Sequence, residues 1–170
     1  AGGVSLIAFA VYLATIAPGI TWSNVGADGG DLLTAAHTWG VPHPSGYPSY
    51  LIALRMFSFV VPIGDEAFRG NLFSAVLAAA SVGLTSLAAL RLLSLLPVAT
   101  SLPRWGRYAP AAVSALAVAV SRELWSQATI TEVYALNAFF VSGLLCVMLA
   151  LFRAEAAGRQ SRYKRPLLAL

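Results

Sequence analysis

Asp28 and Asp31, three positions apart in Asp28-Gly29-Gly30-Asp31, lie between segments apolar enough to enter a membrane. Only seven acids occur in 170 residues, and charge beside lipid is costly enough that it is seldom kept without use. A carboxylate set against a hydroxyl can take its proton, and partial burial tunes its pKa toward the working pH. Helix chemistry offers a plainer account. With Gly30 opening a helix, Asp31 falls in the first turn and Asp28 near the N-cap, both favoured places for Asp. Capping alone does not explain why both acids share a loop with Val41-Pro42-His43-Pro44-Ser45-Gly46-Tyr47-Pro48. Pro42 and Pro44 restrict the backbone on either side and so fix the direction of the His43 imidazole. A group held in this way, with Tyr47 nearby, suits a substrate-binding role as well as a tight turn. His37, near the end of the expected loop helix, needs only free carbonyls as partners. Two histidines and two aspartates at these spacings match no familiar metal signature.

A second candidate stretch runs from Gln127 to Asn137 and contains Glu132, Tyr134 and Asn137. The spacing does not put all three on one helix face, although Glu132 and Asn137 lie loosely to one side. Thr131 as a cap with Glu132 in the first turn is one reading. A second acidic contribution to the cavity of Asp28 and Asp31 is the other. Arg55, Arg69 and Arg122 are candidates to hold an anionic phosphate, with snorkelling as the simpler alternative.

These residues are positioned by membrane elements. The chain is 58% hydrophobic and 11% charged, with a mean hydropathy of +0.75, whereas a soluble domain is about 25% charged. The net charge of +4 does not indicate nucleic acid. No patch interleaves basic and aromatic residues, and the densest basic run follows an apolar segment, as a cytoplasmic anchor does. Cys146 stands alone in an apolar run, which leaves no disulfide framework. Spanning helices are expected at Val4–Ile20, Asn71–Leu96, Trp105–Trp125 and Val133–Phe152. The first lacks the basic n-region and cleavage site of a signal peptide. Tyr50–Ile63 is short, carries Arg55 inside and reads as interfacial.

With four spans, Arg91, Arg104, Arg107, Arg153, Arg159, Arg162, Lys164 and Arg165 share one side, eight of the eleven basic residues. That side is cytoplasmic by the positive-inside rule. Asp28, Asp31, Asp65, Glu66, Glu123 and Glu132 then face outward. Residues 21–70 become one external loop with two juxtamembrane helices, at about Gly30–Trp39 and Tyr50–Val61. The expected architecture is therefore all-α, a polytopic membrane helical bundle forming a single domain over 1–170. A start at Ala1 and an apolar end at Leu170 suggest part of a longer multi-span protein.

The order of these motifs resembles a known family. Asp28-Gly-Gly-Asp31-Leu32, Ala35-Ala36 and Val41-Pro-His43-Pro-Ser-Gly46-Tyr47-Pro48 are similar to the first-loop signature of the DUF2723 family, which includes the TMEM260-type protein O-mannosyltransferases. Arg69-Gly-Asn71-Leu72-Phe73-Ser74-Ala75 and Trp125-Ser-Gln127-Ala128, followed by Glu132-Val-Tyr134-Ala-Leu-Asn137, also look like family segments. The resemblance implies a GT-C glycosyltransferase that takes a sugar from a polyprenyl-phosphate carrier and passes it to a protein or glycan hydroxyl. It places Asp28 as the catalytic carboxylate with Asp31 beside it. Asp31 stands where the family has Glu, Ser45 where a second proline is common, and Ala27 where Gly is usual. His43, Tyr47, Arg69, Arg122, Glu132, Tyr134 and Asn137 are expected to line the substrate site. No cofactor is implied beyond the lipid-linked donor, with a divalent metal and further membrane subunits left open. The site is expected on the external face of a bacterial inner membrane. The alternative is a truncated relative acting as a non-catalytic scaffold or subunit.

Overall fold

The computed structural model describes residues 1–164; Arg165 and the apolar end at Leu170 lie outside the described residues. Seven α-helices follow in order: α1 Gly2–Thr15, α2 Gly29–Thr38, α3 Pro48–Val60, α4 Glu66–Leu93, α5 Arg104–Ala119, α6 Arg122–Ala128 and α7 Tyr134–Lys164. Single 3-10 turns occur at Ser23–Val25 and Pro97–Thr100, and the described residues contain no strand.

α4 is the axis, with α1, α5 and α7 packed around it. Its contact face is built from small residues: Ala75, Ala78, Ala79 and Val82 meet Ala8 of α1, Ala115 and Ala119 of α5, and Ala135 of α7. Small side chains let helix backbones approach closely where lipid offers no hydrophobic drive between helices. Hydroxyls cross the seams between helices. Ser5 donates to the Ala79 carbonyl at 2.7 Å, and Tyr12 donates to the Ala119 carbonyl at 2.8 Å. The pairings set the helix directions. Ser5 meets Ala79 while Asn71 meets Ala17, so α1 opposes α4. Thr131 meets Asn71 while Cys146 meets Leu84, so α7 runs with α4. Tyr12 meets Ala119 and Thr15 meets Trp125, so α5 runs with α1. The loop acids therefore gather at one end of the bundle. Arg91, which donates to the Cys146 carbonyl, sits at the other.

α4 and α7 are long and apolar enough to cross a membrane. Val141, Leu144, Met148 and Phe152 of α7 are exposed, an apolar face that fits lipid better than water. The other two expected spans are shorter than the sequence suggests. α1 has 14 residues and is about 21 Å long, against a hydrocarbon core of about 30 Å. Trp105–Trp125 is not one helix. α5 stops at Ala119, and Ser121 caps α6 by accepting the Leu124 N–H at 3.3 Å.

The two loop helices fall close to their expected places and form a hairpin on the N-terminal half of α4. Leu32 and Leu33 of α2 and Tyr50, Leu51 and Leu54 of α3 bury a separate core with Phe73. Phe73 is clamped edge-on by Tyr50, at 5.7 Å between ring centroids, and tilted against Phe57 at 5.2 Å. Gly46, with φ of +84°, turns the chain between the two helices, a conformation only glycine adopts freely.

Candidate active site

Asp28 sits at the N-cap position of α2, yet its side chain makes no capping bond. It faces the imidazole of His43 instead, with Oδ2 at 3.5 Å from Nε2. Asp31, one turn into α2, grips the other side of the same residue. Its Oδ2 accepts both the His43 backbone N–H at 2.9 Å and Nδ1–H at 2.8 Å. Gly46 N–H closes the turn on the His43 carbonyl at 2.9 Å, and Tyr47 packs edge-on against the imidazole at 5.3 Å. Tyr47 holds a left-handed backbone (φ 41°), as does Trp39 (φ 57°), which ends α2. Left-handed backbone in bulky residues is uncommon and recurs at functional sites. His43 is thus fixed from the backbone, the side chain and the ring face together.

The electrostatics follow from these contacts. The His43 backbone N–H, and then its imidazole, hold the Asp31 carboxyl below the ordinary carboxylate range. The hydrogen bond to Asp31 raises the His43 imidazole, and the charges of Asp28, Asp31 and Glu132 add to it. Glu132 is nearly inaccessible, at 2% exposure. It does not occupy the first turn of a helix, since α7 starts at Tyr134. Burial pushes its carboxyl up and the charge of Asp28 pushes the same way, while the Val133 and Asp28 backbone N–H groups oppose both. Its Oε1 has no hydrogen-bond partner.

A cavity of about 840 Å³ opens beside these acids between α4, α5, α6 and α7. Its lining combines Asp28, Glu132 and Arg122 with the aliphatic Val118, Val141 and Leu145, and Ser142 stands among the last of these on α7. His43 and Asp31 are not in the lining. His43 meets the cavity-lining Asp28 at 3.5 Å. Arg69 and Asn137 are not in the lining either. Arg69 donates to Glu66 at 3.0 Å and to the Gly64 carbonyl at 2.9 Å, which ties the start of α4 to the turn before it. Asn137 is exposed. His37 meets no free carbonyl; its Nδ1 accepts from Arg55 at 3.0 Å, with Glu66 at 3.8 Å. No group of three or more His, Cys, Asp or Glu among the described residues is arranged to hold a metal ion.

Comparison with known proteins bears on this arrangement. The profile of the Protein O-mannosyl-transferase TMEM260 N-terminal domain matches residues 28–169. The chain belongs to this TMEM260 family. A relative is the Protein O-mannosyl-transferase TMEM260 of Mus musculus, 30% identical over 158 residues, which cover 93% of this chain. The chain spans 21% of that relative's length. No solved structure matches.

Asn71 is a site residue that spacing alone did not mark, although it lies in one of the family-like segments. It is 2% exposed. Its amide donates to the Ala17 carbonyl at 2.8 Å and the Gly19 carbonyl at 3.1 Å, and it accepts from Thr131 Oγ1 at 2.7 Å. It therefore pins the segment leading to Asp28 and the segment carrying Glu132 onto α4. The available signal was a neutral polar residue entering an apolar helix, which must find partners once buried. Gly70, the residue before it, leaves room for this junction: a Cβ there would strike Thr131 Oγ1 and approach Leu33 Cδ2 to 2.8 Å.

Proposed function

We propose that this chain is the N-terminal catalytic portion of a membrane glycosyltransferase of the GT-C class. It moves a sugar, mannose by its family, from a polyprenyl-phosphate carrier to a hydroxyl acceptor such as protein Ser or Thr. The observation that carries this reading is the mixed lining of the cavity. Carboxylates and one arginine share the lining with aliphatic side chains. A sugar phosphate on an isoprenoid chain combines the same two chemistries.

In this reading the donor enters from the outer leaflet with its prenyl chain along Val118, Ala138 and Val141. Asp28 takes the proton of the acceptor hydroxyl as its oxygen attacks the anomeric carbon. The carboxylates around the reaction centre stabilise the oxocarbenium-like charge, as in glycoside chemistry generally. Arg122 holds the departing phosphate. Arg69, engaged with Glu66 and Gly64, is not assigned that task. The site faces the exterior of a bacterial inner membrane, with α1 and α5 completing four spans. Basic residues at the opposite end support that orientation. The scaffold alternative is the weaker one, since a scaffold has no use for a buried carboxylate beside a cavity.

Donor binding by the full-length protein tests this reading. A polyprenyl-phosphate sugar with a photoreactive prenyl chain is expected to label α5 and α7 around Val118 and Val141. Arg122→Ala is expected to weaken that labelling. Labelling confined to the outer face of α7, insensitive to Arg122, would count against it.

A further inference from the structure

We propose that His43 is the proton acceptor of Asp28, a relay held in register by Asp31 that carries the acceptor's proton out of the cavity. The inference rests on the transferase reading for the source of the proton and on geometry for the path.

Asp31 fixes the tautomer. Its Oδ2 accepts a hydrogen bond from His43 Nδ1–H at 2.8 Å, which keeps the proton on Nδ1, and a second from the His43 backbone N–H at 2.9 Å. A neutral His43 therefore presents the Nε2 lone pair toward the Asp28 carboxylate, 3.5 Å away. Two electron pairs facing each other at that distance repel, and one shared proton relieves this from either side. The separation exceeds a formed hydrogen bond by about 0.5 Å, and catalytic hydrogen bonds commonly tighten only when substrate binds.

The direction of transfer follows from where each group stands. Asp28 lines the cavity and His43 does not. Both side chains are partly open, 36% for His43 and 48% for Asp28; Asp28 opens on the cavity that substrate fills, so His43 offers the proton a path to water outside that lining. The groups that face it are Asp28 and Asp31 of the α2 segment, Tyr47 before α3 and Glu132 before α7. The step balances. The acceptor O–H bond breaks, its oxygen bonds to the anomeric carbon, and the electron pair of the anomeric C–O bond leaves with the phosphate. The proton passes to Asp28, then to His43 Nε2, then to solvent. His43 must be neutral at Nε2 to receive it, so turnover rises as pH passes upward through the His43 midpoint. His43 touches no substrate in this scheme; it positions and recharges Asp28.

Two measurements on the full-length protein test the relay. Histidine-selective NMR follows the His43 titration without any need for turnover, with the signal assigned by its loss in His43→Ala. Asp28→Asn and Asp31→Asn are each expected to lower the midpoint. A midpoint unmoved by Asp28→Asn overturns the relay. In transfer assays, His43→Ala is expected to lose about 10- to 100-fold, a modest general acid–base effect, and to lose the rising pH limb. Free imidazole is expected to restore the rate in proportion to its neutral fraction. Loss of rate with an unchanged pH profile and no rescue would mean that His43 only shapes the turn, which also overturns the relay. Coupled titration in a protein that transfers no sugar supports proton exchange and instead overturns the transferase reading.

Discussion

Replacing Asn71 with Ala should loosen the junction that carries both Asp28 and Glu132. The substitution removes two donated bonds, to Ala17 and Gly19, and the acceptor of Thr131 Oγ1. The Thr131 side lies in buried surroundings, while Ala17 and Gly19 are only half-buried. A buried polar group left without a partner costs about 1–3 kcal/mol. With the two half-buried carbonyls at the low end and Thr131 partly free to rotate to another acceptor, the sum is about 3 kcal/mol. That is a factor of order one hundred in the folding equilibrium. Equilibrium unfolding in mixed micelles, followed by tryptophan fluorescence, would measure it, since Trp125 lies at the affected end. A cycle with Thr131→Val isolates the Asn71–Thr131 term, expected at about 1 kcal/mol. A loss below about 0.5 kcal/mol, with no coupling in the cycle, would refute the reasoning, because it lies within the range of ordinary surface changes.

Three further outcomes follow from the same contacts. Gly70→Ala forces a methyl group against Thr131 and Leu33 and is expected to cost about 1–3 kcal/mol by overpacking; an unchanged unfolding midpoint contradicts the close approach. Folding lowers the Asp31 pKa and raises that of His43, so their pair stabilises the fold between those two folded values. The stability difference between wild type and Asp31→Asn should shrink as pH falls through the Asp31 value and again as it rises through the His43 value; a difference that ignores pH contradicts the pairing. Folding raises the Glu132 pKa, so its charge weakens the fold as pH climbs from the ordinary carboxylate value through the folded one. Glu132→Gln should therefore raise the unfolding temperature at pH 8 and leave it unchanged at pH 4; equal effects at both would refute burial as the cause.

Much of the loop's helical structure was legible in the sequence. Glycine and proline punctuation placed α2 and α3 to within about two residues, the usual uncertainty of helix ends. The pairing of Asp31 with His43 was not legible, since it depends on a turn that folds residue 43 back over a distance of 12 positions. The break between α5 and α6 was masked because the uncharged centre from Tyr108 to Ser121, with a tryptophan towards each end, looks like one span. The capping hydroxyl of Ser121 is a local signal that this pattern does not weigh. Of the two readings of Glu132, the first-turn one depends on Thr131 as a cap. Thr131 bonds to Asn71 instead, 60 positions earlier, and leaves Glu132 ahead of α7. Arg69 shows the reverse case. Its i, i+3 partner Glu66 was visible in the sequence and explains its position better than the topological argument that assigned it a phosphate.

The central claim is that Asp28 is the carboxylate that removes the acceptor's proton. The most direct measurement is transfer of labelled mannose from a polyprenyl-phosphate carrier to a hydroxyl acceptor by the full-length protein, wild type against Asp28→Asn. Asp28→Asn, which keeps the shape and removes the base, is expected to lower the rate about 10²- to 10⁴-fold with the fold intact. Transfer at the wild-type rate by Asp28→Asn would contradict it.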